Sequence, residues 1–306
     1  MSPENKQSQS LFAPKSTIGR FIFDSMRVFF RASAAVSPRL AARAALALFL
    51  KPPKPQRPAW EEKVLASARR FDLEVNAHRI ALWTWGDLQG KIALLVHGWG
   101  GRGSQLGAFV EPLRDAGYSV VAFDAPGHGD SSGRLSSLPL IEEALAAVAE
   151  NIGPVDALIA HSAGAAVAQA ALARGLETDK MVFLAPGVDP FEYIRYFGRA
   201  FGLGEEVLEL MSRGIEKRYG VPVADYYALR RAGSQLTPLL VAHDVTDLET
   251  PYEAARELAE AWPTASFLRT EGLGHRRILR EGAVIGAALR FLEKPGFARG
   301  YLAATG

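Results

Sequence analysis

Val155-Asp156-Ala157-Leu158-Ile159-Ala160-His161-Ser162-Ala163-Gly164 is the stretch whose reading decides the fold. An apolar run ends in a turn of small residues, and an alanine-rich segment, 165–174, follows without a break. That succession reads as a buried strand, a sharp turn and a helix, with Ser162 at the apex and its hydroxyl lifted clear of the backbone. Ala160 and Gly164 flank the serine because strand and helix nearly touch at such a turn, and bulky side chains there would clash.

Working outward, the runs 92–96, 119–123, 157–159, 181–184, 239–242 and 266–269 are short and apolar, as parallel strands buried on both faces are. Helical segments at 104–116, 138–151, 163–174 and 252–261 separate them. The alternation predicts an α/β chain with a doubly wound, mostly parallel sheet. Residues 71–75 and 79–85 alternate and enclose a hairpin turn at 76–78. From 187 to 234 the strand rhythm stops and eight aromatic residues gather, which reads as a helical cap inserted over the carboxyl edge of the sheet.

Charge divides the chain. Residues 1–58 hold ten Lys and Arg against two acidic residues, a net +8, and since the whole chain carries +2 the remainder carries −6. Two helical segments, 18–30 and 39–50, lie in this basic part, followed by the proline-rich spacer 52–58. Arginines interrupt both, so neither offers the roughly 20 apolar residues that cross a bilayer. The expected organisation is a basic helical extension with spacer over 1–58, then a main domain over 59–306 carrying the cap at about 187–234. Phe21, Ile22, Met26, Phe29 and Phe30 are too many apolar residues to leave exposed. Packing of the two helices on the main domain near the cap is the favoured reading. Peripheral contact of residues 18–50 with an anionic membrane is the alternative, and a cytoplasmic location is expected.

Chemistry collects where strands end. His97-Gly98-Trp99-Gly100-Gly101 follows the first parallel strand, and its glycines allow backbone amides to approach a ligand closely. Asp124-Ala125-Pro126-Gly127-His128-Gly129 follows the second, where His128 reads as fixing the loop through backbone hydrogen bonds. Asp189 follows the run at 181–184. His243-Asp244-Val245-Thr246-Asp247 follows the run at 239–242, with His243 read as a satisfied core histidine. Gly274-His275 follows the last strand. A serine, an aspartate and a histidine thus stand at successive strand ends in that order. With no cysteine there is no disulfide, thiol nucleophile or thiolate metal site. The histidines lack H-E-x-x-H spacing and the glycine loop lacks the Lys-Ser/Thr of a phosphate loop, so no metal or cofactor is expected. No nucleic-acid-reading module accompanies the basic residues.

With these motifs in place, residues 70–292 resemble the α/β-hydrolase superfamily, in its serine-esterase-like branch. The resemblance rests on 97–101, 124–129, 160–164, the Asp-x-x-x-Pro unit at 247–251 and Gly274-His275. It implies a nucleophile at Ser162, an acid at Asp247, a base at His275 and an oxyanion hole formed by the amides of Trp99 and Ala163. Ala160 stands where the family usually has glycine. Asp244 stands in another common glycine position and, with Asp189, is a competing acid. The implied activity is hydrolysis of a small-molecule carboxylic ester, with an apolar group suggested by the aromatic insertion. Thioester or C–C hydrolysis on the same residues, and a non-hydrolytic binder on the same scaffold, are the alternatives.

Overall fold

The computed structural model describes residues 16–294 and 301–302. By contacts the chain divides into two compact units, one of Met1–Lys51 with Asp189–Tyr227 and one of Pro52–Val188 with Ala228–Gly306.

The larger unit is built on a nine-stranded sheet among the described residues. Its strands are β1 (Arg69–Val75), β2 (His78–Trp85), β3 (Lys91–Val96), β4 (Tyr118–Phe123), β5 (Val155–His161), β6 (Thr178–Leu184), β7 (Leu239–Asp244), β8 (Ala265–Thr270) and β9 (Tyr301–Leu302). Their order is β1-β2-β4-β3-β5-β6-β7-β8-β9. The β1–β2 and β2–β4 pairs are antiparallel, and every later pair is parallel. The expected doubly wound sheet is therefore present. Continuous apolar runs bury on both faces: every residue of β4 and β7 is buried, as are five of six in β3.

From β3 the chain steps to β4 on one side and then crosses to β5 on the other. That reversal opens a crevice at the carboxyl ends of β3 and β5, the place where ligands gather in open α/β sheets. The segment after β3 begins as a 3₁₀ helix, Gly103–Phe109, before α-helix Val110–Asp115, so the helix expected over 104–116 is only half α. Glu61 of the helix Ala59–Ala66 clamps this region. Both its oxygens engage the Arg102 guanidinium (2.6 and 2.9 Å), and Ser104 Oγ donates to it. Arg102 also donates to Pro55 O and Gln56 O, fixing the proline-rich spacer. The pair is fully buried, so removing one partner would strand the other and cost about 3–5 kcal/mol.

The smaller unit is helical. It combines α1 (Thr17–Val36), α2 (Pro38–Phe49), α3 (Pro190–Phe201) and α4 (Glu205–Tyr219). Ser37 separates α1 from α2: it is extended, caps Leu40 N, and precedes a proline suited to the first helical position. Aromatic rings make the seam. Phe23 and Phe30 of α1 lie 5.0 and 5.4 Å from Phe201, and Phe49 lies 5.3 Å from Phe197. The N-terminal helices thus pack on the helices of the 187–234 insertion, which spans Asp189–Tyr227 in this grouping. Of the five residues whose exposure seemed untenable, only Phe30 is buried, while Phe21, Ile22 and Phe29 are exposed. No described helix is long and apolar enough to cross a membrane. Where the insertion leaves and rejoins the larger unit, Ala228 N donates to Val188 O at 2.9 Å and pins the two ends together.

Candidate active site

Ser162 joins β5 to the helix Ala163–Ala173 with φ 53° and ψ −122°. A non-glycine residue in that region is strained, and such strain persists only where the surroundings enforce it. The enforcement is visible. Ser162 N donates to Leu184 O on neighbouring β6 at 3.1 Å, and Ser162 O accepts from Gly187 N at 3.0 Å. A Cβ at Gly164 would lie 2.6 Å from His97 O, and one at Gly98 would lie 2.7 Å from Ser162 Cβ. These two glycines let the serine turn and the loop after β3 touch. Ala160, where a second small residue was required, is wholly buried in register with Val96 and Phe183.

The loop after β3 is held by two imidazoles. His97 Nδ1–H donates to Gly98 O (2.7 Å) while its Nε2 accepts from Ala125 N (2.9 Å). His128 Nδ1–H donates to Pro126 O (3.0 Å) and its Nε2 accepts from Gly100 N (3.0 Å). Both rings are neutral, since burial pushes His97 down and His128 down to about 3. The peptide groups on either side of Trp99 are therefore fixed, which sets the direction of the Trp99 amide. Ala163, the other expected oxyanion donor, opens the helix after the turn, where first-turn amides lack intrahelical acceptors.

The third and fourth pieces come from the loops after β7 and β8. His275 Nδ1 lies 2.8 Å from Asp247 Oδ2, and both side chains are buried. Asp247 Oδ1 accepts from the amides of Glu249 (2.7 Å) and Thr250 (3.1 Å), and Oδ2 accepts from Thr250 Oγ1 (3.0 Å). His243 Nε2 stands 3.3 Å from the same Oδ2 and 3.2 Å from Thr250 O. Burial would raise the Asp247 carboxyl, but hydrogen bonds from His243 and His275 hold it well below the usual carboxylate range. Because a carboxylate can only accept, His275 Nδ1 carries a proton toward Asp247, and Nε2 lies 3.9 Å from Glu249 Oε2.

The competing acids are placed elsewhere. Asp189 caps α3 through Phe191 N (2.8 Å) and pairs with Arg195 (2.7 Å). Asp244 accepts from Thr246 N and Oγ1 on one oxygen and from Thr270 Oγ1 and Leu273 N on the other. It ties the loop bearing Asp247 to the loop bearing His275. Burial opposes its charge, yet these donors hold the carboxyl below its ordinary range.

Three contacts lay outside the sequence reading. His161 Nε2–H donates to His275 O at 3.0 Å with the rings 4.6 Å apart, so the residue before the serine holds the loop of the base. Burial keeps that ring neutral. Its one mark in the sequence, a polar residue closing an apolar strand, names no partner. Thr250 Oγ1 reaches Asp247 and lies 3.3 Å from His275 Nδ1, and no signal marked it. His243 is not fully satisfied as expected: it faces Asp247, and its buried Nδ1 has no hydrogen-bond partner.

Residues 93–287 match the family model of the alpha/beta hydrolase family. No curated protein sequence matches the chain. Many solved structures do. An esterase of Pyrococcus furiosus, Pf2001, superposes with a TM-score of 0.59 at 18% identity over 79% of this chain and 98% of its own. Est1E of Butyrivibrio proteoclasticus, solved with ferulic acid bound, gives 0.58 at 16% identity over 73% and 96%. A bacterial membrane phospholipase A gives 0.58 at 20% identity over 90% and 98%.

Proposed function

The chain belongs to the alpha/beta hydrolase family, and we propose that it is a serine hydrolase that cleaves carboxylic esters through an acyl-enzyme. Membership makes it an enzyme of the hydrolase class. The observation that carries the finer reading is the 2.8 Å contact between His275 Nδ1 and Asp247 Oδ2, which leaves Nε2 as a proton acceptor. The similar structures, two esterases and a phospholipase A, support ester cleavage as the reaction type.

In this mechanism His275 Nε2 takes the Ser162 proton as Oγ attacks the ester carbonyl carbon. Asp247 holds the tautomer and stabilises the imidazolium without itself taking the proton. The tetrahedral oxyanion accepts hydrogen bonds from the amides of Trp99 and Ala163, each such donor being worth about 10²- to 10³-fold in rate. Collapse expels the alcohol, which receives the proton from His275. Water then repeats the sequence: His275 deprotonates it, hydroxide attacks the acyl carbon, and Ser162 leaves with the proton restored. An apolar acyl or alkyl group is the substrate class suggested by the aromatic insertion.

A fluorophosphonate probe should label the protein at Ser162, and p-nitrophenyl esters graded in chain length should be hydrolysed with a preference for longer acyl groups. Ser162→Ala should lose labelling and lower kcat by about 10⁶-fold, as serine removal does in other triads. Retained esterase activity in that variant would refute the assignment.

A further inference from the structure

We propose, resting on the serine-hydrolase reading, that Arg57 is a positioning residue for the oxyanion loop, and that the proline segment 52–58 is a strap across that loop. Trp99 N belongs to the same peptide group as Gly98 O, which accepts from Gly101 N at 3.0 Å. Whatever moves residues 100–102 therefore turns the Trp99 amide. The proline segment bears on those residues at two points. A Cβ at Gly100 would lie 2.8 Å from Pro53 Cγ, so the proline ring sits against the glycine itself. Next to Gly101, the buried Arg102 guanidinium donates to Pro55 O (3.0 Å) and Gln56 O (3.3 Å) while Glu61 pairs with it. Pro52, Pro53 and Pro55 each fix a backbone φ, so the segment keeps its shape without a helix or strand of its own.

Arg57 fastens the far end of the strap. Its Nη2 lies 3.3 Å from Asp130 Oδ1 and 3.8 Å from Asp124 Oδ2, and its Nη1 lies 3.5 Å from Glu62 Oε1. Asp124 is fully buried, and its two oxygens accept from Gly103 N and Asp130 N, both at 2.7 Å. That carboxylate joins the end of the oxyanion loop to the loop after β4. A buried carboxylate holds its charge and its hydrogen bonds only where something compensates it, and here a guanidinium stands beside it. The Arg57 side chain is only 14% exposed, so water screens these contacts in part. Losing Arg57 would therefore loosen two ties at once: the strap to the loop after β4, and Asp124 to Gly103. A merely stabilising role would move the thermal melt and leave the kcat of the folded enzyme alone.

The test compares the full chain with Arg57→Gln, Arg57→Lys and Pro53→Gly on p-nitrophenyl esters, with phenylboronic acid as a mimic of the tetrahedral intermediate. Arg57→Gln should lower kcat by about 10- to 100-fold, the cost of a misplacement of about 1 Å, with KM within about twofold of wild type. The Ki of phenylboronic acid should rise by a similar factor, since its adduct uses the same amides. Arg57→Lys keeps the charge and should recover most of the lost rate. Pro53→Gly, at an exposed position, frees the backbone and should slow kcat by about 3- to 10-fold. Amide exchange reads the loop without reference to activity: in Arg57→Gln the amides of residues 99–101 should accelerate about tenfold more than those of β7. A kcat within about twofold of wild type in both Arg57→Gln and Pro53→Gly would overturn the proposal. So would a raised KM with unchanged kcat, or loop exchange that follows β7. In a wild-type chain that neither hydrolyses esters nor takes a fluorophosphonate, the hydrolase reading fails, and loop exchange still decides whether Arg57 holds this loop.

Discussion

The two flanks of Ser162 use the same residue types to opposite ends. On the β3 and β4 side, His97 and His128 have both ring nitrogens committed to backbone groups, and Asp124 accepts from the amides of Gly103 and Asp130. On the β7 and β8 side, His275 commits one nitrogen to Asp247 and has the other 3.9 Å from Glu249, not on a backbone group. A ring saturated by backbone partners is a fixture, because protonating it would break a buried hydrogen bond. A ring held at one nitrogen by a carboxylate can take a proton and have the new charge stabilised. The number of backbone partners, more than burial, separates the histidine assigned to proton transfer from those that set geometry.

The comparison can be broken most directly at Asp247. Asp247→Asn should lower kcat by about 10⁴-fold, because an amide can also donate and favours the wrong imidazole tautomer. Activity within tenfold of wild type would place the acid elsewhere. Asp244→Asn should cost about 10- to 100-fold in kcat through misplacement of the two loops it ties, with KM little changed. A loss as large as that of Asp247→Asn would mean that Asp244 carries more than geometry.

Acid sharpens the contrast by a different route. Burial lowers His97, His128 and His161, whereas unfolded rings protonate near pH 6.5. Below that pH the unfolded chain binds more protons, so stability falls as pH falls. Between pH 6.5 and 5, above the usual titration of unfolded carboxylates, each ring should contribute up to about 1.4 kcal/mol per pH unit. Urea unfolding across this range would measure the slope. His128→Asn should lower stability at pH 7.5 and make the acid slope shallower by about a third, one ring of three. An unchanged slope would mean that His128 takes up protons alike in the folded and unfolded chain. The smallest effect is expected at Asp189: Asp189→Asn keeps an oxygen for the cap of α3 and should alter ester hydrolysis by less than about twofold.

Much of the fold was legible because its signals are local. A continuous apolar run such as 119–123 needs two covered faces, and alternation with helices leaves few ways to supply them. The serine turn was legible for the same reason: Ala160 and Gly164 report a steric limit within five residues. The helix expected over 104–116 failed at its start, where Gly103 packs against Phe123 and the first turns tighten to 3₁₀ under that tertiary contact. The N-terminal helices were legible as helices and were expected near the cap, but not by face, because both sides of α1 are apolar and periodicity does not say which side turns inward.

The sequence by itself determined the strands other than β9, the order of a serine, an aspartate and a histidine at strand ends, and the need for small residues around the serine. Each of these follows from short-range sterics, from burial of apolar runs, or from motif spacing. Only the tertiary structure gives the aspartates different surroundings. Asp244 and Asp247 lie three residues apart on one loop, and both are buried and anionic. What separates them is which group from β8 and its following loop meets each carboxylate: His275 for one, Thr270 and Leu273 for the other. Likewise the contact of His161 with His275 joins strand ends that the sheet brings together in space. A hydrogen bond needs its partner within about 3 Å, and for residues more than a hundred positions apart only the folded sheet sets that distance.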